Sequence, residues 1–196
     1  MNIGFIGTGL MGSPMIKNLL KSKHKISIFN RTISKAKKLK KYGAYLSYKI
    51  EELVKDKEII ITMLTDDKAV KDIIRSKTFL NNVCKETTVI DMSSTKPSTA
   101  LDNYKTLKKR GVYFLDAPVS GGTKGAESAS LAIMVGGEKK IYKKNLKVLK
   151  MLGIPNYVGK PSSGQAAKLA NQIIVGITIG AVSEAIILSK KLGLKP

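Results

Sequence analysis

Apolar positions along the chain fall into two alternating kinds of segment. Short apolar runs predict buried strands at residues 3–6, 25–30, 58–64, 87–91, 111–115, 131–135 and 156–159. Between them, helical spacing predicts helices at residues 32–42, 66–75, 97–110, 139–151 and 163–192, with a turn and a short helix at 45–54. Strands that alternate with helices in this way predict a doubly wound α/β domain with a mostly parallel sheet.

The first predicted strand leads directly into a glycine-rich turn and then a helix. Residues 7–12, Gly-Thr-Gly-Leu-Met-Gly, fit the pattern G-x-G-x-x-G. The order strand, turn, helix is the context that a dinucleotide-binding fingerprint requires. Gly7 would permit the tight turn, Gly9 would let the backbone approach a pyrophosphate, and Gly12 would let the helix pack on the strand. The alternative is a glycine turn that binds nothing. We predict a Rossmann-type domain whose cofactor contacts Gly7, Gly9, Leu10, Met11 and Gly12.

The end of the second strand predicts which dinucleotide is bound. NAD-specific folds place an acidic residue there to bind the ribose 2′-OH, whereas this chain has Asn30, followed by Arg31 and Thr32. A carboxylate would repel a 2′-phosphate, and an arginine forms charge-assisted hydrogen bonds with it. Because Lys35 adds further charge one helical turn later, we predict NADP as the cofactor, with NAD as the alternative. In a purely structural alternative, Asn30 only caps the following helix.

Two further segments predict ligand contacts at the carboxyl edge of the sheet. Met63 and Leu64 end the central apolar run and should line the crevice in which open α/β sheets bind ligands. A second glycine-rich stretch, residues 116–126, predicts a loop whose backbone N–H groups at Gly121 and Gly122 can converge on an anion. Ser120 adds a hydroxyl donor to this loop. The alternative is an ordinary glycine hairpin.

Composition excludes several kinds of site. The 196 residues contain one cysteine, Cys84, and one histidine, His24. A single cysteine cannot form an intrachain disulfide, and one histidine argues strongly against a Ser-His-Asp triad or a histidine-based metal site. We therefore predict no metal. The N-terminus lacks the pattern of a signal peptide, and together with the cysteine count this predicts a cytoplasmic protein.

The charge balance is strongly basic, with 35 Lys and Arg against 14 Asp and Glu and a net charge of +21. Such a charge fits a nucleic-acid partner, an anionic substrate and cofactor, or a lysine-rich proteome. The lysines are spread along the chain, and the clusters at 35–41 and 139–150 have the spacing of solvated helix faces. Nucleic acid is therefore the less favoured partner.

The last predicted helix has two different parts. One face near its start carries residues at steps of three or four, namely Gly164, Gln165, Lys168 and Asn171 or Gln172. Residues 173–188 are apolar nearly all round, which is typical of a helix buried on all sides. This run is interrupted by three polar residues, Thr178, Ser183 and Glu184. We therefore predict that the helix does not span a membrane. We predict instead a dinucleotide-binding domain at 1–162, the start of an all-helical domain at 163–196, and a homo-oligomer formed through residues 173–188.

A resemblance to a known family rests on four segments: Gly7–Gly12 with Met15, Asn30–Thr32, Asp116–Ala126 and Gly164–Asn171. Together they resemble the β-hydroxyacid dehydrogenases, the family of 3-hydroxyisobutyrate dehydrogenase, tartronate semialdehyde reductase and the glyoxylate/succinic semialdehyde reductases. They are also similar to the dinucleotide-binding domain of 6-phosphogluconate dehydrogenase. The resemblance runs from Met1 to the end of the chain, and its last two segments are the more specific.

The resemblance implies a role for each matching position. Lys168 would be the general acid and base, and Asn171 would hydrogen-bond the substrate. Ser120, Gly121 and Gly122 would hold the substrate carboxylate, and Ser94 or Thr95 would contact the nicotinamide end of the cofactor. The implied function is an NADP-dependent oxidoreductase that interconverts a small hydroxyacid and its semialdehyde, or glyoxylate and glycolate.

Family members continue from the long helix into an all-helical domain that closes the active site and builds the dimer. This sequence ends at Pro196, so we expect a truncated product or a fragment, with intact NADP affinity and reduced turnover. The alternative function is a catalytically weak, dehydrogenase-like module that binds nucleic acid or a protein partner through its charge.

Overall fold

A computed structural model describes residues 1–195 of the chain. Its strands are β1 (Asn2–Ile6), β2 (Lys25–Phe29), β3 (Tyr45–Leu46), β4 (Ile59–Thr62), β5 (Thr88–Asp91), β6 (Tyr113–Asp116), β7 (Val119–Ser120), β8 (Leu131–Gly137) and β9 (Gly153–Gly159). Its helices are α1 (Gly12–Leu20), α2 (Ile33–Lys37), α3 (Ile50–Val54), α4 (Asp67–Ile74), α5 (Lys77–Asn82), α6 (Pro97–Lys108), α7 (Gly122–Glu127), α8 (Lys139–Lys150) and α9 (Ser163–Lys191).

The strands form one sheet in the order β3-β2-β1-β4-β5-β6-β8-β7, with β9 paired to β8. Strands β1 to β6 are parallel, whereas β8 runs antiparallel to β6 and β7. The chain moves outward from β1 to β3 and then returns to β4, so the strand order reverses between β1 and β4. Ligands bind at such a switch point in doubly wound sheets. The predicted fold, a doubly wound and mostly parallel sheet, is confirmed.

Helices cover both faces of the sheet, which explains the unbroken apolar runs of its central strands. In β4, Ile59 and Ile61 join the core that contains Met15 of α1 and Val148 of α8. Ile60 joins the opposite core, together with buried residues of four helices on that face: Leu53, Val70, Phe79 and Leu107. Neighbouring residues of a strand therefore face different cores, and both must be apolar.

The structure corrects several predicted elements. The helix predicted over 32–42 is the five-residue α2 followed by a 3₁₀ turn at Lys40–Tyr42. Only Ala36 and Leu39 are buried within it, which is too little apolar surface to hold a longer helix. The sequence also missed β3 and α5, and β9 begins at Gly153 rather than at residue 156.

The second glycine-rich stretch is also more ordered than predicted. Where a loop or hairpin was expected, the chain forms the short strand β7 and the helix α7. Gly121 takes φ +131° and turns the chain from β7 into α7. A Cβ on Gly125 would lie 3.2 Å from the side chain of Leu131, so this glycine lets α7 pack closely on β8.

The predicted long helix is confirmed as α9. By length and composition it is also apolar enough to cross a membrane, with a mean hydropathy of 1.8 in its most apolar 18-residue window. Core helices of soluble proteins meet the same criterion. In the described part of the chain, most of α9 beyond Lys168 is exposed.

Candidate active site

The glycine turn after β1 is shaped by close packing at two of its three motif glycines. Gly7 has φ +105°, and a Cβ there would overlap the carbonyl group of Met63. A Cβ on Gly12 would overlap the carbonyl group of Gly7 and lie 3.2 Å from the Phe5 ring. By contrast, a Cβ on Gly9 would have no neighbour within 4 Å. The fold therefore requires Gly7 and Gly12, whereas the open space at Gly9 leaves room for a ligand.

The start of α1 lies beside this open space, with an unpaired hydroxyl group next to it. No side chain caps the helix at Met11. The Ser13 N–H donates instead to the Gly9 carbonyl oxygen (3.0 Å), and Pro14 has no N–H. The hydroxyl of Thr8 is buried and has no hydrogen-bond partner. Leu10 is 84% exposed, and Met11 is half-buried. A free hydroxyl and the positive end of a helix fit the pyrophosphate of a dinucleotide.

A cleft of about 320 Å³ opens beside the glycine turn at the ends of β1, β2 and β4. Its lining includes most of the predicted cofactor residues: Gly7, Gly9, Asn30, Arg31, Thr32, Met63 and Leu64, together with Lys35. The Asn30 carboxamide accepts a hydrogen bond from the Thr8 N–H (2.9 Å) and donates one to the Thr32 carbonyl oxygen (3.0 Å). Asn30 therefore ties the glycine turn to the end of β2. It does not cap α2, whose N-cap residue is Thr32.

The loop after β5 is fixed by a buried carboxylate at the end of that strand. Asp91 accepts hydrogen bonds from the Thr62 hydroxyl (2.8 Å) and the Ser93 N–H (3.1 Å) through one oxygen, and its other oxygen has no partner. The Ser93 hydroxyl in turn accepts from the Leu64 N–H (2.9 Å). Burial raises the pKa of Asp91 to about 6. This network holds the loop over residues 92–95 against the end of β4.

A second buried carboxylate holds the start of α9. Asp116, at the end of β6, accepts hydrogen bonds from the Ser162 N–H (2.9 Å) and the Gln165 N–H (3.0 Å). Burial raises its pKa to about 6. A Cβ on Gly164 would lie 2.5 Å from the Asp116 carbonyl oxygen, and a Cβ on Gly136 would lie 2.6 Å from the carboxylate. Both glycines are therefore needed for the close approach of α9 to the sheet.

Two amide side chains bracket Lys168 on the face of α9 that meets the sheet. Gln165 accepts a hydrogen bond from the Thr95 N–H (3.0 Å) and donates one to the Ser93 carbonyl oxygen (2.8 Å). Asn171 donates a hydrogen bond to the Ser120 hydroxyl (3.4 Å). Lys168 lies three residues from each amide and is therefore on the same face of α9. Its side chain is 9% exposed, and desolvation lowers the pKa of its ammonium group.

The remaining predicted site residues lie in the same two loops. Thr95 is buried with an unpartnered hydroxyl, while Ser94 is exposed. Gly121 and Gly122 are exposed at the start of α7, and Gly122 would have room for a Cβ. The structure thus brings Ser120 to Asn171 and the 93–95 loop to Gln165, with Lys168 between them.

Sequence reasoning missed the two aspartates and the anchoring role of Gln165. Asp91 and Asp116 are register partners on neighbouring strands, and each ends an apolar run, Thr-Val-Ile-Asp and Tyr-Phe-Leu-Asp. A carboxylate repeated at the ends of two adjacent strands is a signal that could have been read. Gln165 was placed on the correct helix face, but its partners lie 70 and 72 residues away along the chain.

The glycine turn, the strand order and the cleft at the switch point define a class of protein, the Rossmann-type dinucleotide-binding domains. Residues 2–180 match the family profile of the NAD-binding domain of 6-phosphogluconate dehydrogenase. A 2-(hydroxymethyl)glutarate dehydrogenase of Eubacterium barkeri is 37% identical over 198 residues, which cover 100% of this chain and 66% of that protein. The chain belongs to the β-hydroxyacid dehydrogenase family, and it is an NAD(P)-binding domain.

Solved structures agree with this assignment. The 3-hydroxyisobutyrate dehydrogenase of Mycobacterium tuberculosis, determined with L-serine, is 32% identical with a TM-score of 0.92, covering 99% of this chain and 66% of that one. The structure of Psf3 in complex with NADP⁺ and 2-OPP is 27% identical with a TM-score of 0.93, covering 98% and 69%. The chain spans 58 to 68% of the length of eight curated relatives that it matches.

Proposed function

We propose that the protein is an NADP-dependent oxidoreductase that interconverts a small β-hydroxyacid and its semialdehyde, with Lys168 as general acid and base. The observation that carries this proposal is the position of Lys168. It is a buried lysine on the face of α9 that binds the 93–95 loop through Gln165 and Ser120 through Asn171. A lysine with only a solvation role would have no physical reason to be buried there.

Lys168 has a defined task in each direction of the reaction. A bound nicotinamide supplies or takes up the hydride. In reduction, the Lys168 ammonium donates a proton to the carbonyl oxygen on which negative charge develops. In oxidation, the neutral amine accepts the proton of the alcohol. Burial lowers the pKa of Lys168, which increases the fraction of neutral amine near physiological pH.

The proposed substrate class follows from the groups facing Lys168. The Ser120 hydroxyl, the backbone N–H groups of Gly121 and Gly122, and the Asn171 carboxamide supply hydrogen-bond donors for a carboxylate. The two named relatives take 2-(hydroxymethyl)glutarate and 3-hydroxyisobutyrate. Both compounds carry a hydroxymethyl group on the carbon next to a carboxylate. We propose a substrate of this kind, with the carboxylate at Ser120 and the alcohol oxygen at Lys168.

NADP is favoured by the charges at the mouth of the cofactor cleft. Arg31 and Lys35 line the cleft at the end of β2, where NAD-specific folds carry a carboxylate. The Asn30 carboxamide at that position is held by Thr8 and Thr32, and it brings no negative charge to repel a 2′-phosphate. Arg31 is suited to bind a phosphate through paired hydrogen bonds.

The test is NADPH oxidation by the protein with methylmalonate semialdehyde, succinic semialdehyde, tartronate semialdehyde and glyoxylate. We expect Lys168→Ala to lower kcat by about 10²- to 10⁴-fold, the usual contribution of general acid–base catalysis, without changing the Kd of NADPH. Lys190→Ala, an exposed lysine of the same helix, is the matched control. Turnover of Lys168→Ala within tenfold of the wild type would rule out proton transfer by Lys168.

The pH dependence of turnover tests the same assignment independently. Oxidation needs the neutral amine, so its rate should rise with pH, with a midpoint below the ordinary lysine pKa of 10.5. Reduction needs the ammonium, so its rate should fall over the same range. A profile of the same sign in both directions would contradict the proposed role.

A further inference from the structure

A second cleft, of about 440 Å³, lies between α1, α2 and the 3₁₀ turn that follows α2. It begins at the glycine turn and shares Gly9 and Lys35 with the cofactor cleft. None of its lining residues is acidic, and four are cationic: Lys17, Lys35, Lys38 and Lys41. Within residues 1–195 these lysines form no salt bridge. The charge of this cleft is therefore not balanced by the protein itself.

The other large cleft is different in this respect. About 610 Å³ in volume, it lies beside β6 and is lined by Lys85 and Lys108, but also by Glu86 and Glu138. The Tyr104 hydroxyl donates to Glu138 (3.0 Å), and the Lys108 ammonium donates to that hydroxyl (2.8 Å). Its charges thus compensate each other. Of these two clefts, the one between α1 and α2 is therefore better suited to bind an anion.

Two features place this charge in a defined geometry. The ammonium of Lys17, from α1, lies 4.5 Å from the centroid of the Tyr42 ring, and that of Lys41 lies 5.3 Å from it. Cation–π contacts with one ring hold both lysines at the wall of the cleft.

We propose that the cleft between α1 and α2 is a phosphoanion site, separate from the cofactor's pyrophosphate position and able to take a small ligand with several phosphate charges. Its volume is in the range of small-molecule sites. Because the site shares Lys35 with the cofactor cleft, a bound phosphoanion competes with a 2′-phosphate and weakens NADP⁺ binding more than NAD⁺ binding. This competition rests on the proposed NADP preference, whereas the site itself does not.

A small ligand is favoured over a nucleic acid by where the lysines lie. The other lysine-rich helix, α8, packs on β6, β8 and β9, whereas α2 packs on β2 near the other end of the sheet. The strands β1, β4 and β5 lie between the two groups of lysines, whereas a phosphate backbone is bound best by charges in a continuous row. The four lysines of the cleft instead line a single concavity.

Inorganic tripolyphosphate is the probe, measured by calorimetry on the full chain at fixed ionic strength. We expect the double variant Lys17→Met and Lys41→Met to weaken tripolyphosphate binding about tenfold or more, since charge-assisted hydrogen bonds to phosphate are lost. NAD⁺ binding should stay unchanged, which shows that the fold and the pyrophosphate position are intact. The Lys168→Ala variant should bind tripolyphosphate like the wild type, whatever its effect on turnover.

The matched control is the double variant Lys139→Met and Lys144→Met, two lysines of α8 that also lie over tyrosine rings. It removes the same charge from another part of the surface. An equal loss of tripolyphosphate binding in this control would show only general charge attraction and would overturn the proposal. A single-stranded oligonucleotide that binds more tightly than tripolyphosphate, and is weakened by the cleft variant, would also overturn it in favour of a nucleic-acid surface.

Discussion

The two parts of α9 differ in how they are held. In the first turns Gly164, Gln165 and Lys168 are buried, and the backbone is bonded to the Asp116 carboxylate. From residue 173 onward the large apolar side chains are exposed; Ile177, for example, is 68% exposed. The polar start of the helix is thus buried and bonded to the sheet, whereas its apolar remainder, the open part of α9, is exposed. In most proteins apolar side chains are the buried ones and polar side chains the exposed ones.

This contrast shows which interactions set the orientation of a helix. Apolar burial is non-directional, whereas the hydrogen bonds of Asp116 and Gln165 fix both the position of α9 and its rotation about its own axis. That rotation decides where Lys168 points. The apolar part contributes no such constraint, and we propose that its exposed surface, residues 173–188, is covered by another protein surface in a homo-oligomer.

The largest effect expected from breaking the anchor is that of Gly164→Ala. A Cβ there would overlap the carbonyl group of Met134 and lie 2.5 Å from that of Asp116. The start of α9 would have to move away from the sheet, at a cost of about 2 to 3 kcal/mol in the free energy of unfolding. Urea denaturation monitored by circular dichroism measures this loss.

Gly176→Ala is the matched control in the open part of the same helix. Its Cβ would have no neighbour within 4 Å. Because alanine is the better helix former, the variant should be more stable than the wild type by up to about 1 kcal/mol. Equal destabilisation by both variants would mean that the start of α9 and its exposed remainder are held alike, and the contrast between the two parts would not exist.

A smaller effect is expected when the amide anchor is removed while the packing is kept. Gln165→Met preserves the side-chain volume but leaves the Thr95 N–H and the Ser93 carbonyl group without their partner. Unsatisfied buried groups of this kind cost about 1 to 2 kcal/mol. Gln172→Met, at an exposed position of the same helix, should change stability by less than about 0.5 kcal/mol. If Gln165→Met were equally neutral, Gln165 would not be an anchor.

The sequence predicted the fold because its main signals are local. Each central strand is a continuous apolar run, and the glycine turn follows directly on β1, so both features can be read from a few neighbouring residues. The prediction was wrong where stability comes from distant contacts. The helix α7, for instance, packs on α1, where the Asn18 carboxamide donates to the Ala126 carbonyl oxygen 108 residues away, and β3 exists only through pairing with β2.

The candidate site could be predicted only in part. Spacing and the family resemblance predict Lys168 and Asn171 as site residues, and the structure brings Asn171 to Ser120. The role of Asp116 could not be read from spacing, because its partners Ser162 and Gln165 are 46 and 49 residues away. Nor does any local pattern reveal that Gly136 must lack a side chain for α9 to reach the sheet.

The smallest effect on stability is expected in the open part of α9, from Ile177→Gln. At protein concentrations where the chain is monomeric, this change should alter the free energy of unfolding by less than about 0.5 kcal/mol, because the side chain is already 68% exposed. At higher concentrations, sedimentation velocity should show weaker self-association than in the wild type, since a polar group replaces apolar contact surface.

Ile61→Ala, at a fully buried position of β4, serves as the contrast and should lower the free energy of unfolding by about 2 to 5 kcal/mol. A loss of more than 1 kcal/mol for the monomeric Ile177→Gln variant would show that this part of the helix is packed within the chain. A wild type that stays monomeric at all concentrations would count against the proposed homo-oligomer, while the anchoring of Lys168 by Asp116 and Gln165 would stand unchanged.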